Sequence, residues 1–246
     1  VIGQTVKDLG VHLSANHPSG DDNWGFSYDM VKSIEVWSSS INPSNRGYLE
    51  IWDDMLKSGR KLTGRGGSDA HHSYTTSPAD WTSNVWQGLV NNVGTPTTWV
   101  YARERSAQAV VDALDDGRVS VSASPFSERV EFQADSNGDG VMEHMMGEIA
   151  DASGKPVNFR VDMVGGTGIP VLYSISVIRD GEVLRTIQTL ARSVDFTDTP
   201  PADFRSYYRV EVRGILTSAY PEVPGAPLVS GRMLAMSNPI YFDIPD

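Results

Sequence analysis

The feature that most constrains this chain is a change of hydrophobic rhythm near residue 127. Before it, short apolar runs alternate with segments of helical spacing. After it, apolar and polar residues alternate at period two, with no helical pattern between. In the first part, "GVHLSANHP" and "SIEVW" (33–37) read as strands that end in polar loops. Leu49, Trp52, Met55 and Leu56 recur at helical intervals, Gly59 supplies a stop, and "KLTGRGG" returns as a strand. "TTWVYA" (97–102) is a further strand. "SAQAVVDALDDGR" is a helix with Ser106 as N-cap and Gly117 as terminator, and "VSVSASP" is the strand after it. Strand–helix alternation of this kind predicts a parallel sheet or barrel.

The second part contains "RVEFQA", "PVNFRVDMV", "LYSISVIRDGEVLRTIQTL", "SYYRVEVRG" and "NPIYFDI". Asp180-Gly181 within "RDGE" is a tight-hairpin signal, and Pro- and Gly-rich loops separate the runs. That texture predicts an antiparallel β-sandwich. The expected fold is therefore α/β plus all-β, divided into residues 1–126 and 127–246.

Composition narrows the chemistry. A formal charge of −11 argues against a basic stripe for nucleic acid, and no apolar run approaches the roughly 18 residues that span a bilayer. Neither nucleic acid nor membrane is an expected partner. The chain has no cysteine, so any metal must be held by His, Asp and Glu, which suits zinc, manganese or iron. The composition fits a cytoplasmic or a bacterial exported protein alike.

Open α/β folds place their chemistry beyond the C-terminal ends of parallel strands. Three polar clusters occupy such positions: "NHP" with His17, "IEVW" with Glu35, and "GGSDAH" with Asp69 and His71. Gly66 and Gly67 permit the turn that would bring Asp69 and His71 into one cleft. Carboxylate and imidazole together suit a divalent metal that activates water. Each cluster alone also has a structural reading, as a surface loop or a turn.

"NHP", "IEVW", a helix and then "GGSDAH" resemble the C-terminal half of the polymerase-and-histidinol-phosphatase (PHP) family of metal-dependent phosphoesterases. "TTWVYARERSAQAVVDALDDGRVSVSASP" is similar to the carbaryl-hydrolase-like branch of that family, and the tail resembles its appended β-sandwich. The resemblance implies a distorted (β/α)7 barrel holding two or three metals. It implies His17, Asp69 and His71 as metal ligands, with Asp69 and His71 catalytic. It further implies hydrolysis of a small-molecule phosphoester or related ester. Glu35 is expected behind the ligands or as a structural residue, His72 at the substrate pocket or in solvent, and Arg65 and Arg46 as anion contacts. His12, alone within a strand, reads as structural. The family's opening H-x-H and second motifs have no counterpart here, so the chain reads as a C-terminal fragment whose partner is the missing N-terminal half. The competing expectation is a non-catalytic module whose sandwich binds a partner or glycan.

A second ion site is read in "ADSNGDGVMEHMMGE" (134–148). Asp135, Asn137 and Asp139 have the spacing of a calcium loop, but the twelfth position is Met146. Glu143 or Glu148 would have to substitute; the other reading is an acidic hairpin loop. The six tryptophans, Trp24, Trp37, Trp52, Trp81, Trp86 and Trp99, are expected to pack the first part or brace its loops.

Overall fold

The computed structural model describes residues 2–19, 27–39, 42–70, 93–152, 154–168, 170–215, 217–218, 228–229 and 231–242. Helix α1 (Ile2–Asp8) precedes β1 (Ser14–Ala15), β2 (Ser33–Ser38), α2 (Asn45–Lys57) and β3 (Thr63–Gly67). These three strands form a parallel sheet in the order β1-β2-β3, and α2 crosses from β2 to β3. In α2 the apolar stripe buries Trp52 and Leu56 and half-buries Leu49 and Met55. Gly59, at φ 87°, reverses the chain after the last turn.

Next come β4 (Thr97–Val100), α3 (Ala107–Asp116) and β5 (Val119–Ser122). Ser106 caps α3 by accepting from the Ala109 amide, and Gly117, at φ 80°, terminates it. The remaining strands are β6 (Glu128–Asp135), β7 (His144–Met145), β8 (Ile149–Ala150), β9 (Val157–Gly165), β10 (Leu172–Arg179) and β11 (Glu182–Thr189). They continue as β12 (Ser193–Asp198), β13 (Ser206–Ile215), β14 (Thr217–Ser218), β15 (Leu228–Val229), β16 (Arg232–Ser237) and β17 (Ile240–Phe242).

The (β/α)7 barrel is not formed. The described residues hold three α-helices, and their parallel sheet stops at three strands. β4 and β5, expected as further barrel strands, pair antiparallel with each other, Val100 opposite Val119. The Tyr101 amide then donates to Arg118 O, so α3 is an excursion within a hairpin rather than a parallel crossover. Only Gly117 and Arg118 separate helix from strand, and that sharp return aims β5 back along β4. β5 in turn pairs antiparallel with β16. An eight-stranded sheet, ordered β11-β10-β13-β16-β5-β4 with β17 and β8 attached, is therefore continuous across the expected boundary at 126/127. The fold is mostly β, with a small parallel α/β layer against it.

Facing the eight-stranded sheet is a four-stranded one, β12-β9-β6-β7. Alternate residues of both point inward: Val130, Phe132, Phe159 and Val161 from one, Tyr173, Ile175, Val177, Tyr208 and Val210 from the other. Phe159 stacks on Phe196 at 4.9 Å and on Tyr208 at 4.8 Å between ring centroids. Each large side chain buried here is worth roughly 1.5–3 kcal/mol. Asp180 and Gly181 both have positive φ, 53° and 81°, as a two-residue primed turn between β10 and β11 requires.

A second core joins the parallel layer to the outer face of the sandwich. Ile34, Val36, Trp52, Leu56 and Leu62 pack with Val121, Ala123, Tyr207, Met236 and Tyr241. Within it Arg209 donates from Nε to Asp53 Oδ1 at 2.9 Å and from Nη2 to Asp53 Oδ2 at 2.6 Å. Its Nη1 reaches Glu211 at 2.9 Å, the Tyr207 hydroxyl donates to Asp53 at 2.9 Å, and the guanidinium lies over Trp52. Burial pushes the Glu211 carboxyl up, but Arg209 and Arg213 outweigh it and hold the group below its ordinary range. Asn238 completes the junction: its side-chain amide accepts from Gly64 N and donates to Gly64 O and Val119 O.

Removing one partner of a buried pair strands the other charge. Asp53→Ala is expected to cost about 3–5 kcal/mol in urea unfolding. A loss below about 1 kcal/mol would mean that water or Glu211 satisfies Arg209 without Asp53.

Candidate metal centre

The three parallel strands end side by side, and a non-glycine residue in the left-handed region follows each. His17 lies two residues past β1 at φ 48°, Ser39 directly past β2 at φ 46°, and Asp69 two past β3 at φ 51°. The fourth such residue among those described is Asp180, which its hairpin explains. A non-glycine residue in this region costs on the order of 1 kcal/mol, and such strain gathers at functional sites. Two of the three are held from outside their own strand. Ser39 N donates to Gly67 O, Asn45 holds Ser38 N and Ser39 O, and His17 N donates to Glu35 Oε2 at 3.0 Å.

The His17 ring lies between two carboxylates. Nδ1 is 3.2 Å from Glu35 Oε2, and Nε2 is 3.3 Å from Asp69 Oδ1. Their exposures differ: the Glu35 side chain is 3% exposed, those of His17 and Asp69 39% and 32%. Glu35 thus backs the imidazole from inside the sheet, while Asp69 meets it at the surface. A carboxylate buried in a strand needs partners. Glu35 has the ring and main chain of His17, and the Arg65 guanidinium is close enough to feel its charge. Burial lowers the Arg65 guanidinium below its ordinary value, with Glu35 opposing. Arg65 reaches across the sheet, donating to Ser14 Oγ at 2.5 Å and to Asn16 Oδ1, and so ties β3 to the loop that carries His17.

Among the described residues, His17 Nε2 and Asp69 Oδ1 are two donors of the kind a borderline divalent ion takes. Two ligands about 2.05 Å from one ion at a tetrahedral angle stand about 3.3 Å apart, the separation of His17 Nε2 and Asp69 Oδ1. Glu35 and Asp69 lie against opposite ring nitrogens, so Glu35 does not complete the coordination. Ser38 Oγ, buried at the end of the central strand, has no hydrogen-bond partner.

The structure thus brings His17, Glu35, Asp69 and Arg65 together. His71 and His72 lie outside the described residues. Arg46 stands apart, exposed on α2 and paired with Glu50 at 2.9 Å. His12 sits at the other end of β2, bonded to Asp115 at 2.5 Å and Ser33 at 2.8 Å. Ser14, Asn16 and Ser39 went unread in the sequence. The signal available was the run of small and polar residues on either side of "NHP" and "GGSD".

In the acidic loop, Asp135, Asp139 and Glu143 bring ligand atoms within 4.8 Å of one another. The Asn137 side chain accepts the Asp139 amide. Asp135 accepts from Gly138, Gly140 and Asn158, Asp139 from Val141, and Glu143 from Ser136. Burial raises the Asp135 carboxyl, but the Gly140 and Gly138 amides and Asn158 outweigh it and hold the group below its usual range. Each of these carboxylates also accepts a hydrogen bond within the protein.

A cleft of about 790 Å³ opens between α2 and the eight-stranded sheet, lined in part by Trp37, Leu49, Ile178, Val183 and Met233. The Asp53, Arg209, Glu211 and Arg213 charges that line it neutralise one another.

Comparison with protein-family models, curated proteins and solved structures gives no match.

A Cβ on Gly67 would stand 2.5 Å from Glu35 Oε1. Gly67→Ala must therefore displace that carboxylate, at an overpacking cost of about 1–3 kcal/mol. The expected result is a moderate loss in urea unfolding together with a shifted His17 ring resonance in NMR spectra. An unmoved His17 resonance would show that Glu35 does not hold the ring.

Proposed function

We propose that the chain carries the site of a metal-dependent hydrolase acting on phosphoesters or related esters. The observation that carries this reading is the His17 Nε2 to Asp69 Oδ1 approach of 3.3 Å across neighbouring parallel strand ends. It keeps the metal chemistry of the PHP resemblance and leaves its barrel aside. His71, two residues past Asp69, is the expected third ligand.

A zinc, manganese or iron ion at this seat would supply Lewis acidity and a bound water acidified toward neutral pH. The protein's own part is placement. His17 presents Nε2, held from behind by Glu35. Asp69 presents a carboxylate from the left-handed backbone two residues past β3, and offers an acceptor for a proton of the attacking water. Arg65, engaged with Ser14 and Asn16, holds the His17 loop rather than a substrate anion.

Metal content and zinc affinity are measured on the wild type, His17→Ala and Asp69→Ala, with hydrolysis of a chromogenic phosphodiester as a second readout. The expected result is zinc or manganese bound by the wild type and at least tenfold weaker binding in each variant. Any turnover should depend on added metal. Equal metal content in all three proteins would overturn the assignment. A wild type that binds no metal would favour the second reading, a non-catalytic binding module, for which the cleft beside α2 is the supporting observation.

A further inference from the structure

We propose that the cleft between α2 and the outer face of the eight-stranded sheet is a binding site for a neutral, largely apolar small molecule. The proposal goes beyond the metal reading and stands apart from it.

The cleft follows from how α2 is seated. Asp53 pins the helix to Arg209. One turn earlier on the same stripe Leu49 and Glu50 line open space instead, and two turns earlier Asn45 does so. The sheet opposite is ordered by its register. Ser176, Glu211 and Met236 stand side by side on β10, β13 and β16, and Arg213 stands beside Met233. Trp37, Ile178 and Val183 add to the apolar lining. The volume of about 790 Å³ falls within the roughly 300–1,000 Å³ of small-molecule sites, which are mostly apolar with a few placed polar groups.

Depth favours an occupant that enters over a surface laid across. Trp37, Ile178 and Met236 line the cleft although they are only 6%, 4% and 1% exposed. A flat partner would rest on Arg46, Glu50 and Val183, which are exposed, and leave those three untouched.

Charge sets the class of ligand. Arg46 pairs with Glu50, Asp53 with Arg209, and Glu211 takes both Arg209 and Arg213. Arg213 also donates to Gly231 O, and Arg232 is engaged as well. Every charged residue of the lining thus has a partner in the protein. An ionic ligand must draw one of them away or go without a counter-charge in a half-apolar space. A neutral ligand leaves the pairs as they are. Trp37 and the Met233 and Met236 thioethers suit an aromatic body, and the Ser176 hydroxyl can add one hydrogen bond.

The test uses the whole chain with ¹³C-labelled methionine methyl groups, titrated with 2-naphthalenemethanol, 2-naphthoate and 2-naphthylmethylammonium. These differ in charge while sharing one ring system. Met233 and Met236 report the cleft, and Met146 and Met163 in the sandwich core are the controls. The alcohol is expected to shift the Met233 and Met236 methyls saturably and to leave the controls in place. Both ions should bind at least about tenfold more weakly. Ser176→Phe, which sets a ring into the cleft from a half-buried strand position, should abolish the shifts. Should that variant fail to fold, nuclear Overhauser effects between the naphthyl protons and the two wild-type methyls decide the matter. No saturable shift with the alcohol, equal shifts at the controls, or equal affinity for naphthoate overturns the proposal. Ligand-free Met233 and Met236 shifts that move with protein concentration would assign the cleft to a second copy of the chain, and overturn it too. Zinc binding, or its failure, changes none of these outcomes.

Discussion

The ion pair between Asp53 and Arg209 is the constraint on which the arrangement of this protein rests. It joins residues 156 positions apart and bonds the parallel layer to the sandwich through two hydrogen bonds below 3 Å. A buried pair is not a cheap source of stability, because both charges must be desolvated. What it supplies is position. With Asp53 held, α2 has one seat on the outer face of the sandwich. The first residue of that helix, Asn45, then fixes the backbone of Ser38 and Ser39 at the end of β2. Asn238 does the same for β3, answering both backbone groups of Gly64 as a neighbouring strand would.

The candidate site inherits its precision from that frame. Three left-handed residues at adjacent strand ends would relax if the strands were free to shift, and the junction with the sandwich keeps them from doing so. The sandwich is in this sense the support of the site rather than an appendage. It sets where the strands that lead to His17 and Asp69 lie. Arg65 serves the same end from the opposite face of the sheet, binding the loop after β1 to β3 over the buried Glu35.

Much of this was legible in local sequence. The cap at Ser106, the stops at Gly59 and Gly117, the Asp180-Gly181 turn and the buried stripe of α2 are properties of a few neighbouring residues, and the structure forms each of them. The direction of β4 and β5 was not legible. Hydrophobic rhythm identifies a strand and a helix but carries no sign for how the next strand runs. The two-residue link after α3 makes the reversal, and the partner strand β16 lies more than a hundred residues on. The barrel expectation failed at that point. The Asp53–Arg209 pair escaped notice for a related reason, since each charge alone reads as a surface residue. At the site, strand-end reasoning picked out His17, Glu35 and Asp69, which the fold does bring together. It could not say that Glu35 and Asp69 would take opposite nitrogens of one ring, which depends on the stagger of three strands.

The most direct measurement is anomalous diffraction at the zinc edge from crystals soaked with zinc. The account predicts a peak about 2.0–2.2 Å from both His17 Nε2 and an Asp69 oxygen. A peak bonded to Nδ1, or anomalous density confined to the Asp135–Asp139–Glu143 loop, would contradict it.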